Sequence, residues 1–166
     1  GIMKVLEIQH WRDGKVIWES PGKILNILHT DGEEFLLRAA FTGGRQSSVI
    51  PDFYYLGLDN RSSLVVGDTM DALVGEPTGS GYTRQEVSSS GDMTVGYTDD
   101  HFQALSKIVT FRAQGANMGP VSNLFLTDES NNDGYLICSA PLGISLTVDD
   151  GDAVTMRLAF ALKDCP

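Results

Sequence analysis

The chain has 166 residues, of which 42% are hydrophobic and 20% charged, a composition that supports a folded core and excludes a disordered tail. Its 22 acidic residues against 12 basic ones leave a formal charge of −10, which repels nucleic-acid backbones and anionic membranes, so neither is an expected partner. No apolar run reaches the roughly 20 residues that span a bilayer, and the leading GIMKVLEIQHW alternates with polar residues instead of forming a signal peptide's apolar segment.

In chain order, KVLEIQHW and KVIWES flank RDGK, where Asp13-Gly14 suits a tight turn with positive φ. HTDGEEFLLRAAF follows. Thr30 and Glu33 have the spacing of a capping box, and Leu36, Leu37, Ala40 and Phe41 fall on one helical face before Gly43-Gly44. This predicts one helix of about three turns. IPDFYYLGLDN reads as a strand with Pro51 at its entrance. VGDTMDALVGEP holds one short helical turn capped by Asp68 or Thr69.

From residue 82 onward the pattern is nearly all β: YTRQEVS, MTVGY, KIVTFRA, SNLFLTD, GYLICSA, ISLTV and AVTMRLAFAL. The last is the clearest, since Val154, Met156, Leu158, Phe160 and Leu162 alternate with Thr155, Arg157, Ala159 and Ala161. NNDG and DDGD supply turn chemistry between strands. The expected fold is mainly β, an antiparallel β-sandwich or jelly-roll-like domain with one short packed α-helix. A single domain over 1–166 is expected, with the N-terminal hairpin and helix in 1–45 and the main β-domain in 49–163.

EPTGSGYTRQE, residues 76–86, is the one glycine-rich stretch that invites a binding-site reading. A phosphate loop needs a Lys after its last Gly, and here Tyr82 and Thr83 follow Gly81. A dinucleotide fingerprint needs a third Gly where Arg84 stands. Two readings stay open. The stretch is a Gly-Ser turn feeding an edge strand, or Tyr82 and Arg84, pointing the same way on that strand, anchor a protein–protein interface.

His10, His29 and His101 lack zinc-like spacing, and structural roles are expected. Asp150 and Asp152 in TVDDGDAVT have alternate calcium-ligand spacing but no following Glu, so a turn with solvated acids is expected there and in LTDESNNDG. No nucleophile elbow occurs. Cys138 reads as a small buried hydrophobe and Cys165 lies next to the end. No catalytic residue, cofactor or metal is expected. Trp11, Trp18, Tyr54, Tyr55, Tyr82 and Tyr97 leave a carbohydrate-binding module as an alternative, against core and cross-strand packing.

The order of features resembles a family of tailed-bacteriophage virion structural proteins, of the tail-fibre-like or capsid-decoration-like kind. The resemblance runs over roughly residues 24 to 162 and rests on Asn26 with Gly32, Tyr55 with Gly57, Asp68, Thr69 and Glu76, Arg84, Leu124-Phe125 and Gly151-Asp152. It implies a non-enzymatic virion protein, assembled in the host cytoplasm. Its implied partners are other virion proteins (the major capsid protein or tail proteins) and further copies of itself. An acidic domain without a repeat, stalk or receptor-binding tip favours an outer capsid decoration or cement role, with a tail or tail-fibre attachment protein as the alternative.

Overall fold

The computed structural model describes residues 2–22, 24–25, 27–42, 50–61, 64–98 and 101–161. Its centre is the strand whose alternation is strongest. β12 (Ala153–Ala161) turns Val154, Met156 and Leu158 inward, all almost solvent-free, because successive side chains on a strand face opposite ways. β12 pairs with β1 (Ile2–Arg12) on one side and with β8 (His101–Ser106) and β9 (Val109–Arg112) on the other. β2 (Lys15–Glu19) continues from β1, β7 (Met93–Thr98) continues from β8, and the two-residue β3 (Ile24–Leu25) also pairs with β1. Asp13 and Gly14, at φ 48° and 72°, form the β1–β2 turn, as an Asp-Gly pair between alternating strands predicts.

The second sheet runs in the order β4 (Ile27–Leu28), β11 (Leu136–Val148), β10 (Met118–Thr127), β5 (Phe53–Asp59), β6 (Gln85–Ser88). Every pairing in both sheets is antiparallel. Leu56, Leu58, Leu124, Leu126, Cys138 and Ala140 of this sheet meet Ile8, Val109, Phe111, Met156 and Leu158 of the first in one buried cluster. The fold is therefore a mainly β, antiparallel sandwich, with one short helix. A smaller cluster of Leu64, Met70, Leu73, Phe125 and Leu136 lies under residues 64–73.

Three strand expectations change. GYLICSA and ISLTV are one strand, β11, bent where its register against β10 jumps between Val121–Leu146 and Asn123–Pro141. Gly143, at φ 72°, sits in the jump and absorbs the bend that a β-bulge requires. HFQALS forms β8, although its mixed polar and apolar residues give little alternation to read. The stretch 82–84 is not strand; β6 starts at Gln85.

The helix α1 (Thr30–Leu37) continues as a π-helical turn over Arg38–Thr42. Its start is built differently from the expected capping box. His29 is the N-cap and makes no side-chain cap. The Glu33 N–H bonds the His29 carbonyl at 2.9 Å, and the Thr30 N–H bonds the Val66 carbonyl at 2.9 Å. A neighbouring loop thus satisfies one of the donors that a helix start leaves open. The buried positions are Gly32 and Phe35, whereas Leu36, Leu37 and Phe41 are exposed, Phe41 by 81%. Gly32 decides this, because it lies against the Ile137 backbone with no room for a Cβ. Only the Gly32–Phe35 side can approach β11 so closely, and Phe35 then meets Tyr54 edge-on at 6.1 Å. The Gly43-Gly44 stop lies outside the described residues. The short turn near residue 70 is a 3-10 helix over Met70–Ala72 behind Thr69, again without a side-chain cap.

Gly57 stands opposite Phe125 in the β5–β10 register, and a Cβ there would fall within the Phe125 ring. Gly57→Ala is expected to lower stability by about 1–3 kcal/mol through overpacking, read as a drop in the urea midpoint at unchanged slope.

Candidate functional site

Residues 76–84 leave β5's neighbourhood, turn at Gly79 and Gly81 (φ 75° and 70°) and enter β6. Tyr82 and Arg84 do not stand side by side on a strand. Tyr82 points inward. Its ring stacks on Phe111 of the first sheet, with centroids 5.9 Å apart and planes 16° from parallel. Its hydroxyl accepts the Leu58 N–H of the second sheet at 2.9 Å and donates to Glu76 Oε2 at 2.9 Å. Burial, with the Glu76 carboxylate beside it, pushes the phenol well above its ordinary value, so it stays a neutral donor. The Gln114 N–H bonds the Ser80 carbonyl at 2.8 Å and ties the same loop to the end of β9.

Arg84 is also turned into the fold, with its side chain only 7% exposed. Its Nε donates to Glu76 Oε2 at 3.1 Å, and its guanidinium lies 5.1 Å from the centroid of the Phe125 ring. Its Nη atoms donate to the carbonyls of Glu129 and Asn131 and to Asn132 Oδ1 in the β10–β11 turn. The guanidinium fork suits this work, since it serves several acceptors in one plane while its face covers an aromatic ring. The glycine-rich stretch is thus an internal clamp that joins both sheets and the β10–β11 turn.

The other candidate residues take structural positions. His10 Nε2 meets Asp152 Oδ2 at 2.9 Å, and Arg12 Nε donates to both Asp152 oxygens at 3.0 and 3.1 Å. Arg12 also pairs with Asp149. Its hydrogen bonds hold the Asp152 carboxyl below the usual range, against the opposing effect of burial. Asp150 accepts the Gly115 N–H at 2.8 Å. Of the acids read for calcium spacing, Asp152 therefore secures the β11–β12 turn to the first hairpin and Asp150 secures it to the chain after β9, and Asp152 is buried where a solvated acid was expected. Among the described residues, no group of three or more His, Cys, Asp or Glu is placed to hold a metal ion. His29 is fully buried, with Nε2 2.8 Å from Ser139 Oγ. Burial lowers its pKa, with the Val66 and Val65 backbone pulling weakly the other way. Cys138 is buried in β11, and Cys165 lies outside the described residues.

Of the aromatic residues considered for sugar stacking, Trp18, Tyr54 and Tyr82 pack against the core, and Trp11 Nε1 donates to Thr155 Oγ1 at 3.1 Å. Tyr97 differs. It is 63% exposed and meets Phe102 of the adjacent strand edge-on, at 5.1 Å between centroids. Val95 and Phe102 beside it are exposed as well. The second exposed apolar group is Leu36, Leu37 and Phe41 on the helix and its π-helical continuation. Sequence reading missed the β7–β8 group because an alternating strand with one apolar face predicts burial, and only the extent of the covering sheet decides otherwise.

A family model described as Podophage GP4 fiber I protein gp80 matches residues 39–160, which is most of the chain, from the end of the helix to the end of β12. No curated protein and no solved structure matches.

Tyr82→Phe leaves the Leu58 N–H and Glu76 without their shared partner and is expected to cost about 1–3 kcal/mol. Arg84→Ala leaves Glu76 with the Tyr82 hydroxyl alone and uncovers Phe125, and about 1–3 kcal/mol is expected, both read by chemical denaturation. Stability is also expected to fall with acid. His29 and Asp152 both have folded pKa values below their unfolded ones, so the unfolded chain binds more protons as pH drops. The His29 contribution is complete above the ordinary value of 6.5 and is lost below it; that of Asp152 is lost as pH falls below 3.8 and through its lower folded value. A thermal midpoint that falls from neutral to mildly acidic pH in the native chain, and falls less in His29→Gln, checks the first limb.

Proposed function

The chain belongs to the podophage fibre I protein family, and on that premise we propose that it is a non-enzymatic structural component of the tail-fibre apparatus, working by contact with other virion proteins. The observation that carries this reading is the family match over residues 39–160. That span contains nearly the whole second sheet, the Glu76–Tyr82–Arg84 clamp and the exposed β7–β8 hairpin. What the fold offers agrees with an assembly role. The polar side chains that sequence reading offered for chemistry, His10, Asp152, Tyr82 and Arg84, are taken up by internal hydrogen bonds that stiffen the sandwich. The surface presents two groups of apolar side chains, Val95, Tyr97 and Phe102 on one hairpin, and Leu36, Leu37 and Phe41 on the helix and its continuation. Exposed apolar groups of this kind mark contact surfaces.

An outer capsid decoration role uses the same physics, since a cement protein acts only by adding buried area between shell subunits. The two locations differ in stoichiometry. Quantitative mass spectrometry of purified virions, referenced to the major capsid protein, is expected to give a small copy number per particle, as a fibre or its attachment point requires. A copy number comparable to the shell protein would replace the fibre reading with decoration, and absence from the particle would remove both.

A further inference from the structure

α1 is fastened to the fold chiefly by its first turns. Of its eight residues only Gly32 and Phe35 are buried, while Leu36, Leu37 and, on the continuation, Phe41 are exposed. The Thr30 N–H bonds the Val66 carbonyl at 2.9 Å, and the His29 N–H bonds the Ile137 carbonyl at 3.1 Å. Gly32 lies against the Ile137 backbone. The Phe35 ring meets those of Tyr54 and Tyr135, with centroids 6.1 and 6.0 Å away. Lifting the helix therefore uncovers one large apolar side chain of its own, Phe35, and breaks none of the pairings within the two sheets. An element with so few buried contacts belongs to the low-stability end of a fold, where local opening comes before global unfolding.

His29 sits at the point where this helix is fastened. Its side chain is fully buried, and Nε2 lies 2.8 Å from the equally buried Ser139 Oγ of β11. Nδ1 is buried and has no hydrogen-bond partner among the described residues. Either neutral tautomer suits Ser139, because a hydroxyl both donates and accepts. The imidazolium suits it too, but carries a second N–H at Nδ1, where no acceptor is in place. A buried charge with an unmade hydrogen bond is among the costliest things a fold can hold.

The groups that face the ring come from three elements. β11 gives the Ser139 hydroxyl. The segment after residue 64 gives the Val65 and Val66 backbone and the Asp68 carboxylate, and the helix gives Asp31. β4, which leads into His29, adds only Ile27 and Leu28. The two carboxylates favour a charged ring, but burial outweighs them. Asp68 is also engaged elsewhere, accepting the Val65 N–H at 2.8 Å and standing 3.7 Å from Arg61.

We infer that His29 is an acid-operated latch, whose protonation releases α1 from β11 and from the Val65–Val66 segment while the two sheets stay paired. In the closed form the ring is held neutral against Ser139. In the open form it reaches water and takes up a proton at its ordinary value of 6.5. The closed form binds fewer protons, so the open form gains as pH falls. Opening bares Phe35, Tyr54 and Tyr135 beside the already exposed Leu36 and Leu37, and so enlarges the apolar ground at this end of the sandwich. The device lies in the fold itself and does not rest on the fibre reading, which is tested separately by copy number.

The test is hydrogen exchange followed by mass spectrometry on the full chain at pH 7.5 and 5.5, corrected for the pH dependence of chemical exchange. The opening constant of peptides covering 30–42 is expected to rise about tenfold across that interval, the limit for one proton taken up below 6.5. Peptides from β10, β11 and β12 are expected to keep their protection. His29→Gln, which keeps a donor for Ser139 and carries no charge, is expected to show the same helix protection at both pH values. Unchanged protection of 30–42 in the native chain, loss of protection by helix and strands together, or a pH dependence that persists in His29→Gln would each overturn the proposal. Should His29→Gln fail to fold or stay open throughout, NMR titration of the native chain decides. The His29 ring signals and the α1 amides are expected to move with one midpoint, and a ring that takes up its proton while the α1 amides stay unmoved overturns the latch.

Discussion

One phenol side chain, carried by the connection between β5 and β6 of the second sheet, fastens that sheet to the first. The Tyr82 ring stacks on Phe111 of one sheet while its hydroxyl takes the Leu58 N–H of the other. Buried backbone donors cost free energy when left open, so the hydroxyl is constrained to that position and the ring follows. Glu76 accepts from the same hydroxyl and from Arg84, and Arg84 reaches onward to the turn between β10 and β11. The loop needs two positive-φ glycines to bring Tyr82 into place, and Gly79 and Gly81 supply them. A glycine-rich stretch that resembles a ligand cradle is in this chain a fastening.

A second fastening works at the opposite hairpin. Asp152 collects Arg12 and His10, and Asp149 adds to the same arginine. These residues close the β11–β12 turn onto β1, next to the pairing of β1 with β12 that runs the length of the first sheet. Both clusters engage charged side chains in contacts within the chain, and Arg84 and Asp152 are withdrawn from solvent in doing so. The β7–β8 hairpin exposes Val95, Tyr97 and Phe102, and the helix and its continuation expose Leu36, Leu37 and Phe41 beside Glu33, Glu34 and Arg38. For a protein of a virion fibre family this is a coherent division, with ionic chemistry keeping the domain rigid and apolar chemistry left for contact.

The sequence made the class of fold legible because period-two patterns are strictly local. β12 is readable from its four alternating apolar residues, with the fifth, Leu162, outside the described residues, and the Asp13-Gly14 turn from a dipeptide that tolerates positive φ. The helix was legible in existence but not in orientation. Leu36, Leu37, Ala40 and Phe41 form the more apolar stripe, yet Gly32 and Phe35 are buried, because contact with Ile137 is limited by size and not by hydropathy. The same limit hid the helix cap. Thr30 and Glu33 have capping-box spacing, but the Val66 carbonyl, 36 residues away from Thr30, was nearer to hand.

The candidate site was half legible. Residue types picked out Tyr82 and Arg84 as unusual for a turn, and the glycines around them as conformationally required. Their direction was decided elsewhere, by Phe111, Leu58 and Phe125, which arrive from three different strands. Likewise the alternation in MTVGYT announces an apolar face without saying whether anything covers it. The sequence by itself determined a mainly β, acidic, single-helix chain, since those properties follow from local periodicity and summed charge. Only the tertiary structure decided that Tyr82 and Arg84 face inward and that Val95, Tyr97 and Phe102 are left exposed. Burial depends on where a partner sheet ends, and that is set by pairings between residues far apart in the chain.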